Sequence, residues 1–114
     1  MDKDTIHVVD LTKADVAAYK KVLADAIILT KNMNLYMQNR EHQGKAIVNL
    51  FGGHVEGGET PLEAVIREVN EETGGLPNVC DTIMMGAVTE HWTQHSELVY
   101  IYFWHDRHGT ITGC

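Results

Sequence analysis

The sequence predicts an α+β fold, a mixed β-sheet packed by one amphipathic helix. Two observations carry this: a helix with start and stop signals between Thr60 and Gly74, and runs of β-branched and aromatic residues on both sides of it. A third is length, since 114 residues are enough to bury a real core and too few for two domains. One domain over residues 1–114 is therefore expected.

Near the start, Thr12 followed by Asp15 predicts a short capped helix over Lys13 to Tyr19. Leu23 to Thr30 is β-branched enough to read as a strand, Lys31 to Asn34 as a turn, and Leu35 to Arg40 as the returning strand of a hairpin. Ala46 to Phe51 reads as a third strand, which enters a loop containing Gly52, Gly53, Gly57 and Gly58. Beyond the helix, Asp81 to Thr89 and Leu98 to Trp104 read as strands joined by the polar stretch Glu90 to Glu97. In the second of these, Tyr100, Tyr102 and Trp104 alternate with Ile101 and Phe103, so one set faces the core. His108 to Cys114 reads as a last strand that only begins.

The helix can be argued from its letters. Thr60 with Glu63 forms a capping-box pattern, Pro61 falls at the first helical position, and Gly74 stands where a left-handed stop is expected. At about 100° per residue, Leu62, Val65, Ile66, Val69 and Thr73 share one arc, and Glu68, Glu71 and Glu72 fill the neighbouring one. These acids oppose the helix. Glu68 and Glu72 are a like-charge pair at i,i+4, costing about 0.2–0.5 kcal/mol, and Glu71 and Glu72 lie at the negative end of the helix dipole, which disfavours them by about 0.3–1 kcal/mol. Arg67 offsets one charge; a divalent cation held by carboxylate oxygens accounts for the whole cluster. The glycine loop lets main-chain groups approach metals and phosphates beside the helix N-terminus. Glu56, in that loop, reads either as an outer-shell metal residue or as an ordinary exposed acid.

Gly53, Glu59, Arg67, Glu68, Val69, Glu71, Glu72 and Gly74 reproduce the spacing G-x5-E-x7-R-E-U-x-E-E-x-G-U, with U a bulky aliphatic residue. The chain thus resembles the Nudix hydrolases, MutT-like members in particular, with the signature box at residues 53–75. It departs at the final position, where Gly75 replaces an aliphatic residue and Leu76 comes next, so the apolar anchor is expected one residue on. The resemblance implies an α/β/α sandwich around the mixed sheet. It implies Mg²⁺ or Mn²⁺ held by Glu68, Glu71, Glu72 and the Gly53 carbonyl, with Glu59 and Arg67 as a bracing pair. Such an ion screens an anionic substrate and acidifies a bound water, whose proton goes to Glu68 as first choice or Glu71 as second. The implied reaction is hydrolysis of the pyrophosphate bond of a nucleoside diphosphate linked to another group. The downstream markers of the ADP-ribose, dinucleoside polyphosphate and NADH subfamilies are absent, so a nucleoside triphosphate or damaged nucleotide is the default substrate. Family members continue past residue 114 with further strand and helix, so a C-terminally truncated domain with an exposed sheet face is expected, and a homodimer is one way to cover it.

Other side chains offer weaker signals. His91 and His95, then His105 and His108, have zinc-like gaps, but Cys80 and Cys114 lie at no supporting spacing. His91 or His95, with Trp92, is better read as lying over the substrate pocket, with Trp92 able to stack on a base. Glu90 and above all Glu97 are further candidates for substrate contact, and the Nudix resemblance implies that a loop in this region can supply a metal ligand or the base. A net charge of −7 excludes a nucleic-acid polymer as the expected partner. Glu56, Glu59, Glu63, Glu68, Glu71 and Glu72 concentrate that charge at the predicted site. Without a signal-like segment or an apolar span, a cytoplasmic protein of reducing surroundings and no membrane partner is expected. The competing reading is a catalytically silent Nudix-fold module that binds or senses a nucleotide; retention of every box carboxylate favours the enzyme.

Overall fold

The computed structural model describes residues 6–90 and 96–112. Its element order is β1 (Ile6–Val8), a 3₁₀ turn (Val16–Ala18), β2 (Lys21–Leu29), β3 (Leu35–Tyr36), β4 (Gln38–His42), β5 (Lys45–Asn49), β6 (Phe51–His54), α1 (Pro61–Thr73), β7 (Thr82–Glu90) and β8 (Glu97–His105). The strands form a mixed sheet in the order β1-β7-β8-β2-β3, with β6 also paired to β2. The β2–β8 ladder is parallel and the other ladders are antiparallel. The mixed α+β architecture read from the sequence is the one found, with its helical layer, among the described residues, on one face.

Alternation along β2 makes that face. Ala24, Ala26 and Ile28 point to the helix and join Phe51, Ala64, Val65, Val69, Tyr102 and Trp104 in one buried core. Two alanines on the central strand let α1 lie close to the sheet. Of the alternating set on β8, Tyr102 and Trp104 are buried and Tyr100 packs against the same cluster. Tyr36 stacks on Phe51 with ring centroids 5.0 Å apart.

The helix begins and ends where its signals lie. Thr60 Oγ1 accepts the Glu63 N–H, Glu63 Oε1 accepts the Thr60 N–H, and Gly74 closes α1 in the left-handed region at φ 74°. Gly75 is explained by its neighbour. A Cβ there would lie 2.9 Å from the Trp104 ring, so the indole fills the space an aliphatic side chain would take. Leu76 does not replace it, being 63% exposed.

Several boundaries differ from expectation. In place of a helix over Lys13 to Tyr19 there is one 3₁₀ turn, capped by Asp15, while Thr12 donates to Asp10. The predicted strand Leu35 to Arg40 is broken at Met37: β3 pairs with β2, whereas β4 leaves to pair with β5. Ala46 to Phe51 breaks likewise at Leu50, and Gln38 Nε2 donates to the Leu50 carbonyl at 2.8 Å where the two breaks meet. Gln43 and Gly44, both at positive φ, close the β4–β5 hairpin. His108 to Thr112 forms no strand. Instead the buried Asp106 carboxylate accepts the Thr110 and Ile111 N–H groups, Ile111 packs on the core, and the Thr112 N–H donates to the Thr73 carbonyl. No helix among the described residues is long and apolar enough to cross a membrane.

Candidate active site

The site is assembled where β6 runs into the loop before α1. Arg67, near the middle of the helix, is its hub. Its Nε and Nη2 donate to both oxygens of Glu59 at 2.7 and 3.0 Å, and Nη1 donates to Glu68 at 2.7 Å and Glu71 at 3.3 Å. Nη2 also reaches the His54 carbonyl at 3.3 Å and lies 3.8 Å from Glu56. One guanidinium thus faces four carboxylates, which raises its pKa through the bonds to Glu59 and Glu68. Glu59 responds in the opposite sense: the Arg67 bonds, helped by the Glu56 N–H, lower its pKa to about 2. The expected bracing pair is therefore in direct, two-pronged contact.

Glu68 is held from two sides. Arg67 donates to it, and Gly53 lies so close that a Cβ there would fall 2.7 Å from the Glu68 carboxyl carbon. Only glycine at 53 leaves room for that carboxylate beside the strand. Glu72 accepts the Gly52 N–H at 3.0 Å, and burial pushes its pKa up against that bond. Glu68, Glu72, Glu56, Gly52, Gly53 and Arg40 line a cleft of about 390 Å³. Glu71 is 57% exposed and is not among the residues that line it.

This donor set suits a hard divalent cation: carboxylate oxygens of Glu68 and Glu72 on one side and strand backbone at Gly53 on the other. Among the described residues, no three His, Cys, Asp or Glu side chains converge as ligands, and Arg67 engages both Glu68 and Glu71. A second cavity of about 480 Å³ adjoins the cleft and shares Leu23, Asp25, Asn49 and Leu50 with it. It lies on the sheet face away from α1, between Val88, Val99 and Ile101 and the β5 residues Ile47 and Val48. Glu97 lines this second cavity, 4.0 Å from Lys21, and not the acidic cleft. His91, Trp92 and His95 lie outside the described residues.

A family model described as the NUDIX domain matches residues 20–114. The chain belongs to the Nudix family. A curated relative, the ADP-ribose pyrophosphatase of Methanocaldococcus jannaschii, is 41% identical over 70 residues, which cover 61% of this chain and 41% of that protein. The chain thus spans less than half the length of the curated relative it matches. Among solved structures, the pyrophosphohydrolase BsRppH of Bacillus subtilis superposes with a TM-score of 0.66 at 23% identity, covering 90% of this chain and 60% of that one. The MutT protein of Methanosarcina mazei Go1 superposes with a TM-score of 0.60 at 24% identity over 74% and 62% of the two chains. The NUDIX domain of Shewanella oneidensis NrtR, in complex with ADP ribose, gives 0.58 at 20% identity over 83% and 67%. At these identities the structures establish the Nudix fold.

Two contributors to the Nudix cleft escaped the motif. Asp25 had one signal, a charge in the middle of the apolar run LADAIILT; Arg40 had none, since only the β4–β5 hairpin brings it to the cleft.

Proposed function

We propose that this chain is a metal-dependent pyrophosphohydrolase acting on a nucleoside diphosphate linked to a further group. The observation that supports it best is continuity. Two signature acids, Glu68 and Glu72, line a polar cleft that shares a wall with an apolar cavity, the division needed for a diphosphate at one end and a base at the other. Glu68, Glu71 and Glu72 with the Gly53 carbonyl would hold Mg²⁺ or Mn²⁺. When bound, the ion supplies charge neutralisation for the phosphates and acidifies water. Glu68, fixed between Arg67 and Gly53, takes the proton from the attacking water, and Glu71 is the second choice. Glu59 and Arg67 hold the loop to the helix so that this geometry persists. Arg40 faces the acids across the cleft and lends positive charge to the phosphates.

A nucleoside triphosphate, intact or damaged, is the first substrate class by sequence. The likeness to an ADP-ribose pyrophosphatase supports a second, in which the further group is a ribose phosphate. The protein acts as a small-molecule enzyme in a reducing cytoplasm. The test is a substrate panel of nucleoside triphosphates and ADP-ribose with Mg²⁺ in ¹⁸O-labelled water. Turnover of one class, lost in excess EDTA and restored by Mg²⁺ or Mn²⁺, is expected. Nucleotide binding without turnover by any substrate would make the chain a sensor module instead.

A further inference from the structure

We infer that Gln38 is a positioning residue for the active site: together with Asn49 it clamps the β4–β5 hairpin to the main sheet at the angle that holds Arg40 over the phosphate cleft. This rests on the proposed nucleoside diphosphate reading and deepens it by naming what sets one wall of that site.

The hairpin needs a clamp because no ladder supplies one. Among the described residues, β4 and β5 pair only with each other, and single residues, Met37 and Leu50, join them to β3 and β6. A two-stranded hairpin is marginal alone, and nothing in its own pairing fixes its direction relative to a sheet it does not join. The fixing is done at Leu50. This half-buried residue lies between β5 and β6, and both of its backbone polar groups go to side chains. Gln38 Nε2 donates to its carbonyl at 2.8 Å, and its N–H donates to Asn49 Oδ1 at 2.8 Å. Gln38 and Asn49 are also the end pair of the hairpin, directly opposite one another in register. Backbone groups that leave a ladder need partners elsewhere, and here one cross-strand pair supplies both.

The clamp reaches the cleft through register. Side chains alternate along a strand, so Arg40, two residues beyond Gln38, lies on the same face of β4, opposite Ile47 of β5. Arg40 lines the acidic cleft with Glu68 and Glu72, and its charge acts on Glu72, while Ile47 lines the apolar cavity. The acids are held by other elements: Glu68 by Arg67 and the space at Gly53, Glu72 by the Gly52 N–H. Loosening the clamp therefore shifts the guanidinium and leaves the carboxylates in place. Substrate affinity should change and the chemical step should not.

The test is a double-variant cycle of Gln38→Met, which keeps the length of the side chain and loses the donor, with Arg40→Ala. It is read by Kd for ADP with Mg²⁺ in calorimetry, and by KM and kcat on whichever of ATP and ADP-ribose is turned over. Gln38→Met should weaken ADP binding and raise KM by about 3- to 10-fold, the worth of one hydrogen bond, with kcat within about twofold. Arg40→Ala should weaken binding at least as much. The double variant should fall within about twofold of Arg40→Ala alone, because Gln38 acts through Arg40. Gln38→Ala removes the same donor, should give the same shift, and takes the place of Gln38→Met if that variant does not fold. Losses that multiply in the double variant would overturn the assignment. So would a lowered melting temperature with unchanged ADP affinity, the mark of a bond that only holds the fold, or a fall in kcat with KM unchanged. If nothing is hydrolysed but ADP affinity follows the cycle, the hydrolase reading fails and the positioning role stands.

Discussion

Glu68, the proposed base, is held in place by Arg67, bonded at 2.7 Å, with Gly53 against its carboxylate. Glu68→Gln should therefore lower kcat by at least about 10²-fold with the fold intact, the usual worth of a general base. Retained turnover in a folded variant would remove Glu68 from the role. Gly53→Ala tests the same point by displacement. The added methyl pushes the carboxylate aside without altering its chemistry, and a misplacement of that size is worth about 10²-fold in rate. Arg67 and Glu59 act on stability as well. Glu59 has its pKa lowered from 4.5 to about 2, so it contributes stability that is fully present above 4.5 and is lost as pH falls toward about 2. Glu59→Gln should flatten that part of the acid unfolding curve, measured as melting temperature against pH. The double change of Glu59 and Arg67 should cost less than the two single changes together; additive losses would show that the contact carries no coupling.

At the scale of elements, the helix depends on the segment after β8. Thr112 donates to the Thr73 carbonyl, the Leu76 N–H donates to Thr110, and Asp106 organises both through its bonds to Thr110 and Ile111. Burial raises the Asp106 pKa, but these hydrogen bonds outweigh it and leave it lowered. Its stabilisation is therefore present above the ordinary value of 3.8 and lost as pH falls below it. Asp106→Ala, which strands the part-buried Thr110 and Ile111 N–H groups, should cost about 1–3 kcal/mol in urea unfolding. Little of this was legible in the sequence. The helix was, because caps, turns and a 3.6-residue period are local signals within Thr60 to Gly74. The breaks at Met37 and Leu50 were not, because a strand's partner is chosen by distant residues, and nothing within Leu35 to Arg40 says that its two halves pair with different strands. The same cause hid part of the site. Glu59, Arg67, Glu68 and Glu72 could be grouped from spacing, whereas Asp25 and Arg40 join them only through sheet register and a hairpin.

At the scale of the molecule, binding of a divalent ion by the cleft would couple to folding. If Glu68, Glu71 and Glu72 share an ion, millimolar Mg²⁺ should raise the melting temperature, since a ligand that binds only the folded state stabilises it. Glu72→Gln should show a smaller rise; an undiminished one would take Glu72 out of the ligand set. The parallel pairing of β2 with β8 has a different consequence, for the order of assembly. Lys21 lies opposite Glu97 and Leu29 opposite His105, so the innermost ladder joins segments separated by every other strand of the site and by the helix. Closing that loop is entropically slow, whereas the β4–β5 hairpin and the helix turn on neighbours in sequence. During synthesis, the acidic helix can therefore form before the strand that walls the apolar cavity has left the ribosome. The chain should fold in milliseconds to seconds, and substitutions in β8 should slow that step more than substitutions in the exposed hairpin do.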